Sequence, residues 1–437
     1  MGLLTFKGGI HPPHSKKSTE NLPIVDFLGP KVVEIPLRQH IGAPCEPIVA
    51  KGDLVKVGQL IGAAGGFVSA NVHSSVSGTV LDVRKQNTAY GFDTCVVIEN
   101  DEKYELAETV KPKPDFNTLT GKEIIDIIKE AGIVGMGGAG FPTHVKLSPP
   151  PEKQIDTIVL NGAECEPYLT CDHRLMLEEP KMIIKGLQIL MHALGVKNGV
   201  VGIESNKPDA IAKMTEAAQN TEIRVVGLKT KYPQGAEKQL IVACTNRAIP
   251  SGGLPMDIGV VVNNVATAAT IGKLFETGIP LIERVCTVTG KGIKSPKNIR
   301  FRMGTPLKAL IDFCDGYNGV PGKILLGGPM MGVAQFSDEL PAMKNTSGIL
   351  VFSQEDAKLP EPTACIRCGK CVTTCPINLE PIQISAYALL HEYDKAAKYN
   401  ALDCIECGSC SFICPAKRPL LQTIRVAKRE ILAKKRK

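Results

Sequence analysis

Eight cysteines late in the sequence are spaced for metal chemistry. They read Cys365-Ile-Arg-Cys368-Gly-Lys-Cys371-Val-Thr-Thr-Cys375-Pro376 and Cys404-Ile-Glu-Cys407-Gly-Ser-Cys410-Ser-Phe-Ile-Cys414-Pro415. Each is a C-x2-C-x2-C-x3-C-P run. Two-residue gaps let a tight turn present three thiolates to one face of an iron–sulfur cubane. Structural zinc instead draws on two C-x2-C pairs far apart in sequence. Clusters of this kind carry electrons. The rest of the chain must therefore say where the electrons come from and where they go.

The doubled run resembles that of a bacterial two-cluster ferredoxin, in which the fourth cysteine of each run serves the other cluster. The resemblance implies one [4Fe–4S] cluster on Cys365, Cys368, Cys371 and Cys414. It implies a second on Cys404, Cys407, Cys410 and Cys375. The 28 residues between Cys375 and Cys404 hold two helix-like segments, near 381–390 and 394–402.

A second stretch with chemical potential is Gly132-Ile-Val-Gly135-Met-Gly137-Gly138-Ala139-Gly140-Phe141-Pro142-Thr143-His144-Val145-Lys146. Glycine at this density lets backbone N–H groups approach a ligand closely, and such loops favour anions. The loop follows a predicted helix, 121–131, with Ile124, Ile125, Ile127 and Ile128 on its buried side. It therefore fails the ordinary dinucleotide fingerprint, which follows a strand.

Beyond it, strand patterns near 156–160, 200–203, 223–227 and 258–262 alternate with helix patterns near 180–194, 208–218, 236–243 and 265–277. This predicts an α/β unit with a largely parallel sheet, which binds ligands at the carboxyl ends of its strands. Three polar stretches fall at such ends: Asn161-Gly-Ala-Glu164-Cys-Glu166-Pro167, Lys231-Tyr232-Pro-Gln-Gly235-Ala236-Glu237 and Asn263-Asn264-Val-Ala-Thr267. Asparagine at a strand-to-helix junction is also a common cap. Three junctions beside one glycine loop favour a shared ligand site over independent caps.

Together these stretches resemble the flavin-carrying, NADH-oxidising subunit of respiratory complex I. The resemblance implies FMN held by Gly135, Gly137, Gly138, Phe141, Lys146, Asn161, Glu164, Glu166, Gly235, Glu237, Asn264 and Thr267. It also implies NAD(H) as substrate. That family has Arg where this chain has Met136, Asp where it has Ala163, and a Glu–Glu pair where it has Ala236-Glu237. These departures keep open a flavin-free electron conduit as a different class of function.

The remaining segments complete a multidomain α/β organisation. Residues 1–30 read as an irregular arm, in which Gly8-Gly9-Ile10-His11-Pro12-Pro13-His14 is too rich in Gly and Pro for regular structure. His11 and His14 read as surface or packing residues. Residues 31–100 resemble a lipoyl-type barrel-sandwich hybrid, through Gly52-Asp53-Leu-Val55-Lys-Val-Gly58-Gln59 and Ser75-Val76-Ser-Gly78-Thr-Val80. The tip position of the carrier lysine falls near Phe67, so a docking module is expected and not a swinging arm. Residues 283–335 resemble a small β-grasp domain of the soluble-ligand-binding type, and 336–362 are expected to return toward the flavin domain. The boundaries so read are 1–110, a Rossmann-like unit at 111–280, β-grasp at 281–345, and a helical two-cluster ferredoxin-like domain with a basic tail at 346–437.

Along its whole length the chain resembles the C subunits of Rnf-type electron-transport complexes. The resemblance implies a translocase subunit at the cytoplasmic face of the bacterial membrane, peripheral, working with other subunits that include an iron–sulfur subunit. It implies NADH/ferredoxin electron transfer coupled to ion movement. A corrin reductase of microcompartments shares the flavin and cluster modules, and the Gly8–Pro13 arm favours the Rnf reading over it.

Composition agrees with this picture. No run approaches the 18 or so apolar residues of a membrane span, and fifteen cysteines with no secretory pattern at the start fit a reducing compartment. The net charge of +7 is local, because residues 416–437 hold nine Lys or Arg against one Glu. That leaves the remainder near neutral and argues against a nucleic-acid-binding surface. Residues 420–437 predict an amphipathic helix with a basic face, suited to anionic lipid or an acidic partner.

Overall fold

The structure is a computed structural model and describes residues 2–435. Its centre is a four-stranded sheet ordered Ile223–Leu228, Asn198–Glu204, Thr157–Gly162, Val260–Asn264, with every pair parallel. In three of these strands the Val, Ile and Leu runs are buried on both faces, as parallel strands must be when helices cover them, while the edge strand Ile223–Leu228 is only partly buried. The chain starts at Thr157–Gly162, winds outward through two strands, then returns to the other side with Val260–Asn264. That reversal makes a switch point where the carboxyl ends of Thr157–Gly162 and Val260–Asn264 part, the usual place for a ligand in such sheets.

The helices match their sequence signals. Thr120 and Glu123 close a capping box on Gly121–Glu130. Pro180–Leu194 ends on Gly195, which has a positive φ. Asn264 caps Val265–Thr277 through the Ala266 N–H at 2.8 Å. Two further helices, Thr143–Lys146 and Cys171–Glu178, carry no clear sequence signal and sit beside the glycine loop and the acidic stretch.

Helices Pro180–Leu194 and Val265–Thr277 cross at backbone contact. A Cβ on Gly186 would stand 1.8 Å from the Ala268 carbonyl oxygen, and one on Gly272 would stand 2.3 Å from that of Met182. Gly186→Ala is therefore expected to force the helices apart at a cost of about 3 kcal/mol, the upper part of the range for overpacked cores. A denaturant midpoint unchanged from wild type would refute that crossing.

The barrel-sandwich unit has an antiparallel sheet ordered Val32–Pro36, Gly91–Asn100, Gly78–Thr88, Leu54–Val55, facing a smaller sheet of Glu46–Pro47, Leu60–Ala63 and Val72–His73. Val33, Ile35, Ile61, Val76, Val80 and Ile98 fill its core. Its tip docks where the carrier lysine would otherwise be free. The Phe67 carbonyl meets His144 Nε2 at 3.0 Å, just past the glycine loop. Lys344, buried and pushed down by desolvation to about 8, pins the same junction by donating to the Asn71 and Gly132 carbonyls at 2.7 Å each.

Two expectations change at the β-grasp domain. Its sheet runs Ile24–Phe27, Lys297–Arg302, Glu283–Thr289, Gly348–Ser353, Pro321–Leu326, Val333–Gln335. The arm thus contributes an edge strand, parallel to Lys297–Arg302. Strand Gly348–Ser353 lies inside this sheet, parallel to Glu283–Thr289, so the sheet extends past residue 345, while Lys344 and Ser347 just before it do reach the flavin unit, at the Gly132 carbonyl and the Cys171 thiol. Both strands pair in parallel with partners distant in sequence, and no local turn signal announces such pairings.

In the cysteine-rich domain, short helices Lys370–Thr374 and Ser409–Ile413 follow the two C-x2-C-x2-C turns. The turns repeat each other residue for residue: Arg367 and Glu406 have φ of 55° and 57°, and Gly369 and Gly408 have 72° and 75°. Helix Leu420–Lys435 buries Leu420, Ile424, Ala427 and Ile431 against helices Pro381–Leu389 and Tyr393–Lys398. Its main apolar stripe is therefore spent inside the domain, which leaves a basic surface, with Val426 and Leu432 exposed, to meet lipid or a partner. The last two residues of the predicted basic tail lie outside the described residues.

Candidate functional site

A cavity of about 460 Å³ opens at the switch point of the parallel sheet. Gly135, Gly137, Gly138, Phe141, Lys146, Asn161, Glu164, Glu166, Gly235, Glu237 and Asn264 all line it. Thr267 does not. Its Oγ1 accepts from the Met136 N–H at 3.0 Å, so it holds the glycine loop from behind. The volume suits a nucleotide-sized ligand. The glycines fit close approach: a Cβ on Gly137 would stand 3.0 Å from the Asn264 side chain.

Asn263 also lines the cavity and was not among the sequence candidates. It is buried, and neither its Oδ1 nor its Nδ2 has a partner. An unpaired buried carboxamide is costly. It offers one acceptor and two donors, which suits a ring edge carrying alternating carbonyl and N–H groups. The donor set therefore fits a flavin.

Several of the other residues shape the site. Glu164, in the left-handed region at φ 47°, accepts from the Asp172 and His173 N–H groups at 2.7 and 3.3 Å. It thus satisfies the start of helix Cys171–Glu178. Asn161 Nδ2 donates to the Gly235 carbonyl at 2.7 Å, joining two of the polar stretches. Lys146 Nζ reaches Glu237 at 3.2 Å and the Val262 carbonyl at 3.0 Å. Asp172 Oδ2 accepts from Asn264 Nδ2 at 2.7 Å, and burial raises its carboxyl to about 6.

Two buried lysines hold the acidic stretch, and no sequence pattern marks either. Lys16 Nζ donates to the carbonyls of Glu164 and Glu166 at 3.0 and 2.9 Å, and to that of Leu169. Lys207 Nζ donates to the Ala163 carbonyl at 2.7 Å and lies 3.5 Å from Glu204. What distinguishes them is contact with backbone far away in sequence, which no local pattern carries.

Glu166 turns toward the β-grasp domain, where its carboxylate accepts from the Met330 and Met331 N–H groups at 3.0 and 2.9 Å. Burial pushes its carboxyl up to about 7. The folded protein thus keeps a proton here that the unfolded chain releases near 4.5. Stability should fall as pH rises from about 4.5 to about 7, by about 3 kcal/mol in all. Glu166→Gln is expected to remove that slope, read as the denaturant midpoint against pH. A slope equal to wild type in the variant would show that another group carries it.

A second cavity, of about 730 Å³, backs onto the first through Met136, Asp172 and Arg284. It is the larger of the two, but its charges are largely paired with one another. Arg300 meets Glu179 at 2.5 Å and Lys273 meets Glu179 at 2.8 Å. It also lacks the polar strand ends, so the chemistry belongs to the smaller cavity.

The cysteines fall into two groups. Cys375, Cys404, Cys407 and Cys410 line one small hollow with Ile405, Leu421 and Ile424. Cys371 has Cys414 as its cysteine neighbour, and Cys365 and Cys368 of the same run are exposed. The first set is the inner one and the second opens to solvent. Burial raises the Cys404 and Cys410 thiols to about 11 and about 12, so ligation there displaces protons.

The inner cysteine site and the nucleotide cavity share a wall. Ile405 lines both. Tyr232 lines the cavity, and its hydroxyl donates to the Cys407 carbonyl at 2.8 Å. Ile10, Tyr232, Cys407, Cys165, Met330, Ile405 and Ile413 pack as one apolar cluster there.

Comparisons with known proteins follow the same division. The RnfC barrel sandwich hybrid domain matches residues 4–103 and the Nuo51 FMN-binding domain 128–273. The SLBB domain matches 285–334 and the 4Fe-4S dicluster domain 358–419. The chain is 52% identical to the C subunit of the Na(+)-translocating ferredoxin:NAD(+) oxidoreductase complex of Acetobacterium woodii, over 99% of this chain and 98% of that one. It is 52% identical to the proton-translocating counterpart of Clostridium ljungdahlii, over 98% and 94%. It is 42% identical to the C subunit of the ion-translocating oxidoreductase complex of Rhodobacter capsulatus, over 97% and 82%. Among solved structures, an NAD+-reducing [NiFe]-hydrogenase in the air-oxidized state aligns with a TM-score of 0.50 at 17% identity. That alignment covers 72% of this chain and 61% of the other, and it speaks to fold alone.

Proposed function

The chain belongs to the family of C subunits of ion-translocating ferredoxin:NAD+ oxidoreductase complexes, and from that premise we propose that it is the place where such a complex exchanges electrons with NAD(H). The observation that carries this reading is the wall shared by the nucleotide cavity and the inner cysteine site.

Bound FMN supplies the exchange between electron pairs and single electrons, and bound clusters supply one-electron carriers. The protein's own part is to hold and insulate them. The glycine loop, Asn161, Gly235, Asn263 and Asn264 would hold the flavin. Cys404, Cys407, Cys410 and Cys375 would hold the inner cluster, and Cys365, Cys368, Cys371 and Cys414 the outer one. Tyr232 and Ile405 exclude water from the gap between flavin and inner cluster. The exposed outer set is the exit toward partner subunits, among them an iron–sulfur subunit.

Among the described residues no helix is long and apolar enough to cross a membrane. Attachment through partner subunits at the cytoplasmic face agrees with that, and so does the basic surface of helix Leu420–Lys435 as a contact for an acidic partner or anionic lipid.

The test is anaerobic. The purified protein is reconstituted with iron, sulfide and FMN, and NADH is added. Bleaching of the flavin absorbance followed by cluster reduction supports the reading. Clusters assembled with no flavin retained would leave only an electron conduit.

A further inference from the structure

Arg284 stands on strand Glu283–Thr289 of the β-grasp sheet and is 3% exposed. Its Nη2 donates to the Met136 carbonyl at 2.7 Å. Its Nε and Nη1 have no protein partner. It lines the nucleotide cavity with the glycine loop, Asn263 and Asp172. A buried guanidinium with most of its donors unspent is unfavourable unless an anion completes it.

The neighbourhood narrows what that anion is. The Asp172 carboxylate lies near enough to attract Arg284 but spends its hydrogen bond on Asn264, and the Glu164 carboxylate is bound to the helix start, so neither fills the open Nε and Nη1 positions. The Met136 side chain is buried in the core, so this loop residue offers the cavity no charge of its own, while a guanidinium from the next domain hangs on its carbonyl.

We propose that Arg284 is the buried cation that holds the bound flavin in this cavity. The β-grasp domain reaches into the cavity and holds the negative charge of the bound flavin nucleotide. That charge is either the phosphate or the deprotonated reduced ring. The proposal rests on the flavin reading of the cavity. It makes Arg284 a cofactor-binding residue supplied from outside the α/β unit.

The test uses the reconstituted protein and its Arg284→Gln and Arg284→Lys variants. FMN and riboflavin affinities are read by fluorescence, and the flavin potential by anaerobic titration. Iron content and melting temperature serve as folding controls. Arg284→Gln is expected to weaken FMN by about tenfold or more, the scale of one charged hydrogen bond. Arg284→Lys should fall between it and wild type. Weakened FMN with unchanged riboflavin assigns the charge to the phosphate. A fall in flavin potential, about 30 mV for each tenfold of lost preference for the two-electron-reduced form, assigns it to the ring.

Wild-type affinity and potential in Arg284→Gln would overturn the proposal. Failure of the wild-type protein itself to retain FMN would instead overturn the reading of the cavity.

Discussion

Cys414→Ser is expected to empty the outer cysteine site and leave the inner one loaded. Iron per chain should fall from about eight to about four. The cluster signal that remains should be the one reduced first from the flavin side. The reason is geometric. Cys414 ends the second run in sequence, yet its cysteine neighbour is Cys371 of the first run. Cys375 ends the first run, yet it lines the hollow of Cys404, Cys407 and Cys410. The reciprocal variant, Cys375→Ser, should remove the inner cluster and interrupt the path. NADH should then bleach the flavin while the outer cluster stays oxidised. Electron paramagnetic resonance of the two variants separates the assignments. Loss of the inner signal in Cys414→Ser, with the outer spared, would mean that each run serves its own cluster.

Lys16→Met is expected to cost about 3–5 kcal/mol and to strip the protein of flavin while its iron content holds. Methionine keeps the length of the side chain and removes its charge and donors. Three carbonyls of the acidic stretch, those of Glu164, Glu166 and Leu169, then lose their partner in a buried place. Leaving buried groups unsatisfied after removing an ion carries penalties of this size. The stretch is also strained, with Glu164 at φ 47° and Tyr168 at φ 70°. Without the lysine its backbone is free to relax away from the cavity. Thermal melts and the flavin-to-protein ratio after gel filtration check both halves. Wild-type values for both would show the arm to be decoration.

Much of this was legible because its physics is local. The two cysteine runs declare their chemistry by spacing. Helices Pro180–Leu194 and Val265–Thr277 begin and end where proline, asparagine and glycine place them. Eleven of the twelve flavin-site candidates line one cavity, since strand ends and a glycine loop can be read in order along the chain. Thr267 fell outside because its hydroxyl is turned to the loop's backbone, and rotamers are not written in a motif.

The remainder depends on contacts across domains. Lys16 lies in a segment whose Gly and Pro content only says irregular. Arg284 looks like any strand arginine until the neighbouring domain is in place. Strand Gly348–Ser353 pairs with a strand some sixty residues earlier, and nothing in its own run names that partner. The basic tail helix shows its apolar stripe in the sequence but not what the stripe meets. The answer was helices Pro381–Leu389 and Tyr393–Lys398 of its own domain.

The arm has a further consequence, in time. Leu4 pairs with Leu228, Ile10 with Tyr232, and the Gly9 N–H with the Thr374 carbonyl, one residue before Cys375. Residues 4–10 leave the ribosome long before these partners and are thus among the last to find their places. At roughly 5–20 residues per second, the wait between synthesis of Gly9 and of its Thr374 partner is on the order of 20–70 seconds. During that interval the flavin unit can form its sheet, but Ile10 and Tyr232 lack the Cys407 side of their cluster. Closure of the strap is therefore a late event in biogenesis, set by the arrival of the cysteine domain.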